Sequence, residues 1–576
     1  MPTKAIRGIA ASPGIAIGPI LRYEAAKLVA NQHYTSDIPH ELLHLEEALT
    51  QARQEIHGFY EQAKQTIGTQ EGAIFEAHEA FLNDPALLEQ VHTAIQQQSS
   101  SAAFAWQEGI ERYANQLRLL HDEYLAARAT DLEDVGQRVL RILQGGQEQA
   151  LRLTEPTIIV ATDLTPSETV RFDTQMVCAF CTATGTPTSH AAILAKALGI
   201  PAITGLGSDL AQLADGLQVI VDGNTGEILL APDAETLERY RLHAQIQTQK
   251  QRIALEASHQ PAFTLDGKHV EIVANINSPD QVAEALTYGA EGVGLLRTEF
   301  LFLERATAPT EEEQFGIYRA ILTGMHQQPV VVRTFDIGGD KPAPYMPVAE
   351  EMNPFLGVRG IRLALTQKEL LQTQLRALLR AGVGQQLRIM FPMVSSSEEI
   401  DVLREHLMEA RKTLEERQIA AAANVQIGIM IEVPAAALMA DVLAEQVDFF
   451  SIGTNDLTQY TLAADRTNEA IAPFADALHP AVLRLIDSVC KAAHARQRWV
   501  GLCGELGGDP LALPVLLGLG LDELSMAPKA IPLCKQQVRL YSQEQAHEIA
   551  QQALKKRNAA EVRAYLKACS HTIGDH

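Results

Sequence analysis

From residue 269 onward, short continuous apolar runs alternate with stretches in which apolar residues recur every three or four positions. Runs of the first kind are typical of strands buried on both faces, and the alternation is typical of a parallel β/α fold. Eight such runs within about 300 residues predict a (β/α)₈ barrel of the TIM type over 263–576. The predicted strands are Val270–Ile276, Gly292–Leu296, Val330–Phe335, Leu387–Pro392, Ile427–Glu432, Phe449–Gly453, Val500–Cys503 and Glu523–Met526.

The amino-terminal part shows two other patterns. Residues 25–147 carry long amphipathic periodicities, such as Leu42, Leu45 and Leu49, and predict an inserted helical bundle. Strand-like runs on both sides of it predict one α/β domain made of 1–24 and 148–230, with strands at Thr157–Ala161, Met176–Cys181, Pro201–Thr204, Leu217–Val221 and Glu227–Leu230. A Gln-rich charged helix over 231–262 is then predicted as a linker. The fold class is therefore multi-domain α/β.

Composition narrows the classes of function. The formal net charge of −24 argues against a nucleic-acid-binding protein, which needs a basic face. No uninterrupted apolar run approaches the roughly 20 residues of a membrane span, so membrane insertion is not expected. Six cysteines in 576 residues do not form the pattern of a disulfide framework, which favours a reducing cytoplasm.

Polar residues follow the predicted barrel strands at their carboxyl ends, where such barrels keep their chemistry. This predicted rim carries an unusual number of charged groups for an acidic chain. They are Arg297, Glu299, Arg333, Asp336, Glu432, Asn455, Asp456, Cys503 and Glu505, with Lys341, Arg359, Arg362 and Arg466 in the connecting segments. We interpret the rim as an active site.

The residue types indicate an anionic substrate. Guanidinium groups bind phosphate and carboxylate through paired hydrogen bonds. Glu432 and Asp456 form a natural pair for Mg²⁺, which takes one or two carboxylates and completes its octahedron with substrate oxygens and water. Alternatively, some of these arginines form structural ion pairs below the barrel mouth, with Arg362 and Lys341 as the first candidates.

A turn followed by helix-forming residues surrounds His190 in the sequence GTPTSHAAILA, residues 185–195. Gly185 and Pro187 interrupt the preceding run, and Thr188 or Ser189 can cap the helix. His190 is thereby expected on the first turn, where free N–H groups favour an anion. We hypothesise that it carries a phosphoryl group. A lone histidine near a cap more often satisfies local hydrogen bonds.

Six motifs, taken in order, resemble those of the enzyme I family of the bacterial phosphoenolpyruvate:sugar phosphotransferase system. The resemblance covers essentially the whole chain. The motifs are GTPTSH at 185–190, GVGLLRTEFL at 292–301, VRTFDIGGDK at 332–341, NPFLGVR at 353–359, FSIGTNDLTQY at 450–460 and GLCGE at 501–505.

The resemblance implies a reaction and assigns roles. His190 would be phosphorylated on Nε2 by phosphoenolpyruvate and would pass the group to the phosphocarrier protein HPr, docked on 25–147; the barrel would form a homodimer. Cys503 would protonate the enolate, and Thr169 would orient the imidazole. The substrate would be bound by Arg297, Arg333, Arg359, Asn455, Asp456 and Arg466, and Mg²⁺ by Glu432 and Asp456.

Two other functions stay open at this point. A relative of pyruvate phosphate dikinase or phosphoenolpyruvate synthase shares these domains but needs an additional ATP-binding domain. A regulatory phospho-sensor would act mainly by binding a partner. The sequence also departs from the family where Thr186-Pro187 replaces a usual Gly-Arg, and its effect on rate is open, as are the downstream pathway, the preferred HPr homologue and the dimer affinity.

Smaller motifs are read as structural. His40 and His44 match a zinc-protease pattern, but no third ligand can be placed, so both are expected on a solvated helix. His78 and Asp84 are expected either to contact the carrier or to solvate and end a bundle helix.

Overall fold

The computed structural model describes the chain in two compact units, Met1–Thr248 and Gln249–His576. Each unit has hydrophobic cores of its own. The side chain of His190 lies outside the described part. So do residues 1–3, 25–27, 67–68, 120–122, 147–152, 174–175, 187–188, 304, 339–344, 346–350, 467, 469–470, 472–473 and 574–576.

An eight-stranded mixed sheet forms the α/β part of the first unit. Its strands are β1 Lys4–Arg7, β2 Ile9–Ser12, β3 Ile15–Tyr23, β4 Thr157–Ala161, β5 Val177–Thr182, β6 Ala202–Thr204, β7 Gln218–Asp222 and β8 Glu227–Leu230. They lie in the order β1-β8-β7-β3-β4-β5-β6-β2, with β3 to β6 parallel and the other pairs antiparallel. All five strands predicted after residue 150 are present to within one residue at each end.

Five helices are present in the described residues between β3 and β4. They are α1 Ile38–Thr66, α2 Thr69–Leu82, α3 Pro85–Gln98, α4 Ala102–Leu119 and α5 Glu123–Leu143. The apolar stripe of α1 is buried as its periodicity predicts, with Leu45 and Leu49 fully inside. Asp84 and Pro85 begin α3 as well as ending α2, because the Asp84 carboxylate accepts from the N–H groups of Ala86 and Leu87.

The expectation that His78 is solvated is wrong. Its side chain is fully buried where α2 packs between α1 and α5, and its ring nitrogens lie 3.9 and 4.0 Å from the carboxylates of Asp131 and Asp134. The physical reason is that α2 contacts helices on two sides, so the face that carries a polar residue is also covered. His40 and His44, by contrast, lie on the outer part of α1.

Two short helices lie between strands of the sheet in chain order, α6 Pro166–Arg171 after β4 and α7 His190–Leu198 after β5. The long connecting helix α8 Ala234–Glu256 follows β8. Along α8 only Ala254 is buried among the residues that the structure describes there. The division between the two units, at Thr248 and Gln249, falls inside this helix. Whether residues 231–262 act as the linker stays a prediction.

The second unit is built on a closed barrel of eight parallel strands, as the pattern of apolar runs predicts. Observed and predicted bounds agree to within two residues at each end, because strands covered on both faces read as unbroken apolar runs. The strands are β9 Glu271–Ile276, β10 Val293–Leu296, β11 Val330–Arg333, β12 Leu387–Phe391, β13 Gln426–Ile431, β14 Phe449–Ile452, β15 Trp499–Leu502 and β16 Glu523–Met526.

Thirteen helices are described around and after these strands. They are α9 Gln281–Thr287, α10 Glu311–Gly324, α11 Ile361–Thr366, α12 Lys368–Ala381, α13 Ser397–Glu416, α14 Pro434–Leu438, α15 Ala440–Leu443, α16 Thr454–Leu462, α17 Pro480–Ala495, α18 Leu513–Gly518, α19 Ile531–Val538, α20 Gln543–Ala553 and α21 Ala559–Ile573. Within the described ranges, no helix of the chain has the length and apolar character needed to cross a membrane.

Candidate active site

A cavity of about 250 Å³ lies at the carboxyl ends of the barrel strands. It brings together every barrel residue to which the resemblance assigns a role, whereas the predicted rim residues Glu299 and Arg362 do not line it. Those lining residues are Arg297, Arg333, Arg359, Glu432, Asn455, Asp456, Arg466 and Cys503. The remaining lining residues are Leu295, Asp336, Met430, Gly453, Gly504 and Glu505.

Arg333, the last residue of β11, is buried and held by two carboxylates. Its guanidinium lies 3.0 Å from Glu299 Oε1 and 3.2 Å from Asp336 Oδ2. The Asp336 N–H donates to the same Glu299 oxygen at 3.0 Å. Burial disfavours the charged guanidinium, but these carboxylates outweigh it and raise the pKa of Arg333. The direction of this side chain is therefore fixed before any ligand arrives.

Arg359 bridges two carboxylates across the cavity wall. It donates to Asp336 at 3.0 and 2.8 Å, and to Asp456 at 2.9 and 3.2 Å. Only 2 % of this residue is exposed. The alternative of structural ion pairs thus describes Arg359 in this structure, whereas Arg362 donates to the main-chain oxygens of Leu356 and Gly357. Whether Arg359 also binds substrate stays a prediction.

The groups around Arg297 balance its positive charge less completely than the carboxylates around Arg333 and Arg359 do. Burial and, after it, the charge of Arg333 lower the pKa of Arg297, although Glu299 acts in the opposite sense. Arg466 lines the same cavity, and its backbone N–H donates to Gln459 Oε1 at 3.1 Å. Arg297 is close enough to Arg333 for their charges to interact, and neighbouring guanidinium groups that line one cavity favour binding of an anion.

Glu432 lies just beyond β13 and is almost completely buried. Its Oε1 accepts from the N–H of Met393 at 2.6 Å. Met393 has a φ of 61°, unusual for a non-glycine residue, and this strained backbone directs its N–H at the carboxylate. Burial, followed by the charges of Asp456 and Asp336, raises the pKa of Glu432 to about 8. Negative charge is concentrated at this edge of the cavity.

Cys503 follows β15 and faces the interior of the barrel. The residue is 3 % exposed, and its thiol donates a weak hydrogen bond to the Ile452 carbonyl oxygen at 3.7 Å. Burial raises the pKa of this thiol to about 11. The thiol therefore keeps its proton at neutral pH. In the same cavity, the Asn455 side-chain amide donates to Glu505 Oε1 at 3.1 Å and accepts from the Glu505 N–H at 3.2 Å.

In the first unit, Thr169 is fully buried on α6, and its hydroxyl donates to the Thr165 carbonyl oxygen at 2.9 Å. Helix α6 packs against α7, which begins at His190. Ser189 occupies the N-cap position of α7 without a side-chain capping hydrogen bond, while Thr188 lies outside the described residues. The role of Thr169 toward the imidazole stays a prediction.

Comparison with known families matches three consecutive models of phosphoenolpyruvate-utilising enzymes. The N-terminal model matches residues 7–128, the mobile-domain model 153–226 and the PEP-binding-domain model 251–543. The last of these covers the whole barrel rim.

Relatives agree along almost the full length. A "Phosphoenolpyruvate-protein phosphotransferase" of Geobacillus stearothermophilus is 44% identical over 98% of this chain and 98% of its own. The chain belongs to the phosphoenolpyruvate-protein phosphotransferase family. The Bacillus subtilis (strain 168) member is 42% identical over 98% of this chain and 99% of its own. A "Multiphosphoryl transfer protein" of Xanthomonas campestris is 46% identical over 97% of this chain, which spans 66% of that protein.

For this phosphotransferase, reasoning from the sequence predicted the rim but not the contacts within it. Glu299 and Asp336 were placed on the rim without a role, yet they hold Arg333 and Arg359. Their position two residues after Arg297 and three residues after Arg333, where β10 and β11 end, was the available signal. Lys341 and Pro187 lie outside the described residues, and Thr186 accepts from the Ser189 N–H at 3.0 Å.

Proposed function

We propose that this chain transfers the phosphoryl group of phosphoenolpyruvate to Nε2 of His190, releases pyruvate, and passes the group to a histidine of an HPr-type carrier. The supporting observation is the cavity in which Arg297, Arg333 and Arg466 face Glu432 and Asp456 at the carboxyl ends of the strands. Such a site suits a small ligand that carries both a phosphate and a carboxylate.

The arginines would position and neutralise the substrate. Phosphoryl transfer depends mainly on orientation and on stabilisation of charge, with little covalent work by the protein in the barrel. Arg333, held by Glu299 and Asp336, would offer its fork in a preset direction. Arg297 and Arg466 would bind from the mouth, Asn455 would add a polar contact, and Arg359 would hold Asp456 in place while bordering the substrate.

Glu432 and Asp456 would hold Mg²⁺. Burial first, and then the charges of Asp456 and Asp336, raise the pKa of Glu432, and a divalent cation would act against both by stabilising the ionised carboxylate. Mg²⁺ commonly takes one or two protein carboxylates and completes its octahedron with substrate oxygens and water. When bound, Mg²⁺ would stabilise negative charge on the transferring group and the enolate.

The step itself breaks the bond between phosphorus and the enol oxygen and forms a bond between phosphorus and Nε2 of His190. The enolate that remains would take the proton of the Cys503 thiol on its methylene carbon, giving pyruvate. A thiol whose pKa lies near 11 is a proton donor throughout the neutral range. Water would then return a proton to the thiolate.

Delivery to the carrier requires the first unit. His190 at the start of α7 would carry the phosphoryl group, with Thr169 accepting from or donating to the imidazole to fix its orientation. HPr would dock on the bundle α1–α5. Because His190 belongs to a different unit from the cavity, the segment 231–262 would act as a swivel between the two half-reactions.

Two further properties belong to the same proposal. The barrel would form a homodimer, and sedimentation velocity of the full chain against concentration would test this. A cytoplasmic location is supported by the cysteines, all six of which are free thiols.

The decisive experiment uses phosphoenolpyruvate labelled on phosphorus, with Mg²⁺. The wild-type chain should take up acid-labile, base-stable label, and His190→Ala should abolish it. Cys503→Ala should slow pyruvate formation by about 10²-fold or more, because the enolate loses its proton donor. Label on another side chain, or undiminished label in His190→Ala, would contradict the proposal.

A further inference from the structure

A chain of buried polar side chains connects helices α10 and α12 to the cavity rim. Gln314 and Tyr318 on α10, Gln374 on α12 and Thr298 after β10 are all fully buried. Buried polar groups of this kind are costly unless every donor and acceptor has a partner. This set meets that condition, and its hydrogen bonds branch from the Gln374 amide toward α10 and toward the rim.

The orientation of the Gln374 amide is fixed by a backbone group. The Phe335 N–H, which can only donate, donates to Gln374 Oε1 at 3.1 Å. Gln374 Nε2 therefore faces two hydroxyl groups, donating to Thr298 Oγ1 at 3.2 Å and to Tyr318 OH at 3.0 Å. Tyr318 in turn donates to Gln314 Oε1 at 3.2 Å.

The Thr298 hydroxyl group forms a hydrogen bond on the side of the active site. Its Oγ1 donates to the main-chain oxygen of Arg333 at 2.9 Å. Thr298 directly follows Arg297, and Phe335 lies two residues beyond Arg333. Through one amide, Gln374 thus contacts the residue next to Arg297 and the segment directly after Arg333. We call these two stretches, 297–298 and 333–335, the two rim segments.

We propose that Gln374 is a positioning residue for the anion site: it sets the separation of the two rim segments and so the separation of Arg297 and Arg333. This inference rests on the proposed function, since it concerns the binding of phosphoenolpyruvate. Gln374 itself does not line the cavity. It acts through the backbone of residues that do.

The surroundings of Gln374 support a positional role. Leu371, Leu375 and Leu378 of the same helix are buried beside it, so an apolar residue would suit the packing of α12. The Gln374 amide oxygen accepts the hydrogen bond of the buried Phe335 N–H. Loss of this amide would leave the Phe335 N–H without an acceptor. The backbone after β11 would then shift to find another acceptor.

Helix α12 offers a matched control. Gln372 is also buried, but its amide nitrogen donates to the His406 carbonyl oxygen and to Glu409 Oε2 on α13, each at 3.0 Å, and also lies 3.0 Å from His406 Nδ1. Gln372→Met and Gln374→Met remove the same polar group from the same helix. Only the second removes a hydrogen bond to the rim.

The experiment measures KM for phosphoenolpyruvate and kcat for both variants in the full chain. Gln374→Met should raise KM about tenfold, because small displacements of binding groups are costly, and should change kcat less. Phosphoryl transfer from the phosphorylated chain to the carrier should keep its wild-type rate. Gln372→Met should leave KM within about twofold of wild type, since the rim is untouched.

An equal KM in the two variants would overturn the inference, as would a Gln374→Met chain with wild-type KM. Should Gln374→Met fail to fold, Tyr318→Phe removes one acceptor of the same amide and should raise KM about threefold; an unchanged KM there would also overturn it. A wild-type chain that forms no pyruvate contradicts the proposed function itself, and the positioning role falls with it.

Discussion

The two ends of the barrel each bury a carboxylate whose pKa is raised to about 8, yet they are built differently. At the carboxyl end this group is Glu432, and at the amino end it is Glu523, the first residue of β16. In both cases burial is the main cause. A raised pKa therefore marks a carboxylate removed from water and does not by itself identify an active site.

The surroundings separate the two ends. Glu523 Oε2 lies 3.3 Å from Arg388, whose guanidinium stacks 4.6 Å above the Trp499 ring. Trp499 is itself stacked on Phe449 with ring centroids 4.4 Å apart. At this end one cation meets one main carboxylate and an aromatic platform. Glu432 instead faces further carboxylates across a cavity with several arginines, an arrangement completed by a charged ligand.

The strongest test of this difference is Arg297→Ala at the carboxyl end. We expect kcat/KM for phosphoenolpyruvate to fall about 10³-fold, because a preorganised positive charge is lost from the site. The free energy of unfolding should stay the same or rise, since the charge of Arg333 disfavours a second buried cation beside it. Pyruvate release and urea unfolding measure the two quantities.

Arg362→Ala is the control for Arg297→Ala. Arg362 lies on α11 and donates only to nearby main-chain oxygens in the contacts described. Its loss should leave kcat/KM within about threefold of wild type. If Arg297→Ala kept most of its activity while unfolding more easily, the rim would be a structural ion-pair cluster like the amino end.

The sequence predicted the barrel and its rim well for a simple reason. Strands buried on both faces are unbroken apolar runs, and catalytic side chains in this fold follow them directly. Cys503 after β15 and Glu432 after β13 were therefore placed correctly on the rim from position alone. Neither needed knowledge of packing between distant segments.

Contacts between distant segments could not be predicted in this way. Arg359 was expected to face the substrate, but which carboxylate it meets depends on how the segment before α11 folds over the barrel. Gln374 gave no signal, because one amide in an apolar helix face looks like noise in the periodicity. His78 was misread because helix α2 is covered on two sides, which its own sequence does not reveal.

At the amino end, Arg388→Ala should show the opposite balance from Arg297→Ala. Loss of Arg388 leaves the buried Glu523 carboxyl without this hydrogen-bond donor and uncovers Trp499. We expect a loss of about 2 kcal/mol in the free energy of unfolding. Activity per folded molecule should stay within about twofold of wild type. A large fall in kcat at saturating substrate would show that the amino end also takes part in the reaction.

Glu523→Gln should change the free energy of unfolding by an amount that is small at acid pH and grows as pH rises. Since the folded chain holds the Glu523 proton up to about pH 8, whereas the unfolded chain loses it near the ordinary pKa of 4.5, this group costs stability progressively as pH rises between those values. Glutamine resembles the protonated acid, so the variant should gain stability over wild type as pH rises toward 8, by at most about 1.4 kcal/mol per pH unit, with the gain disappearing toward pH 4.

Urea unfolding of Glu523→Gln and wild type at pH 5 and pH 8 measures that gain directly. Glu271→Gln is a suitable control, because Glu271 lies 3.8 Å from the same Arg388 but is more than a third exposed. Water should stabilise its charge, so its substitution should shift stability little with pH. A gain that is equal at both pH values would mean that Arg388 keeps Glu523 ionised, and the carboxylates at the two ends of the barrel would then differ in charge as well as in surroundings.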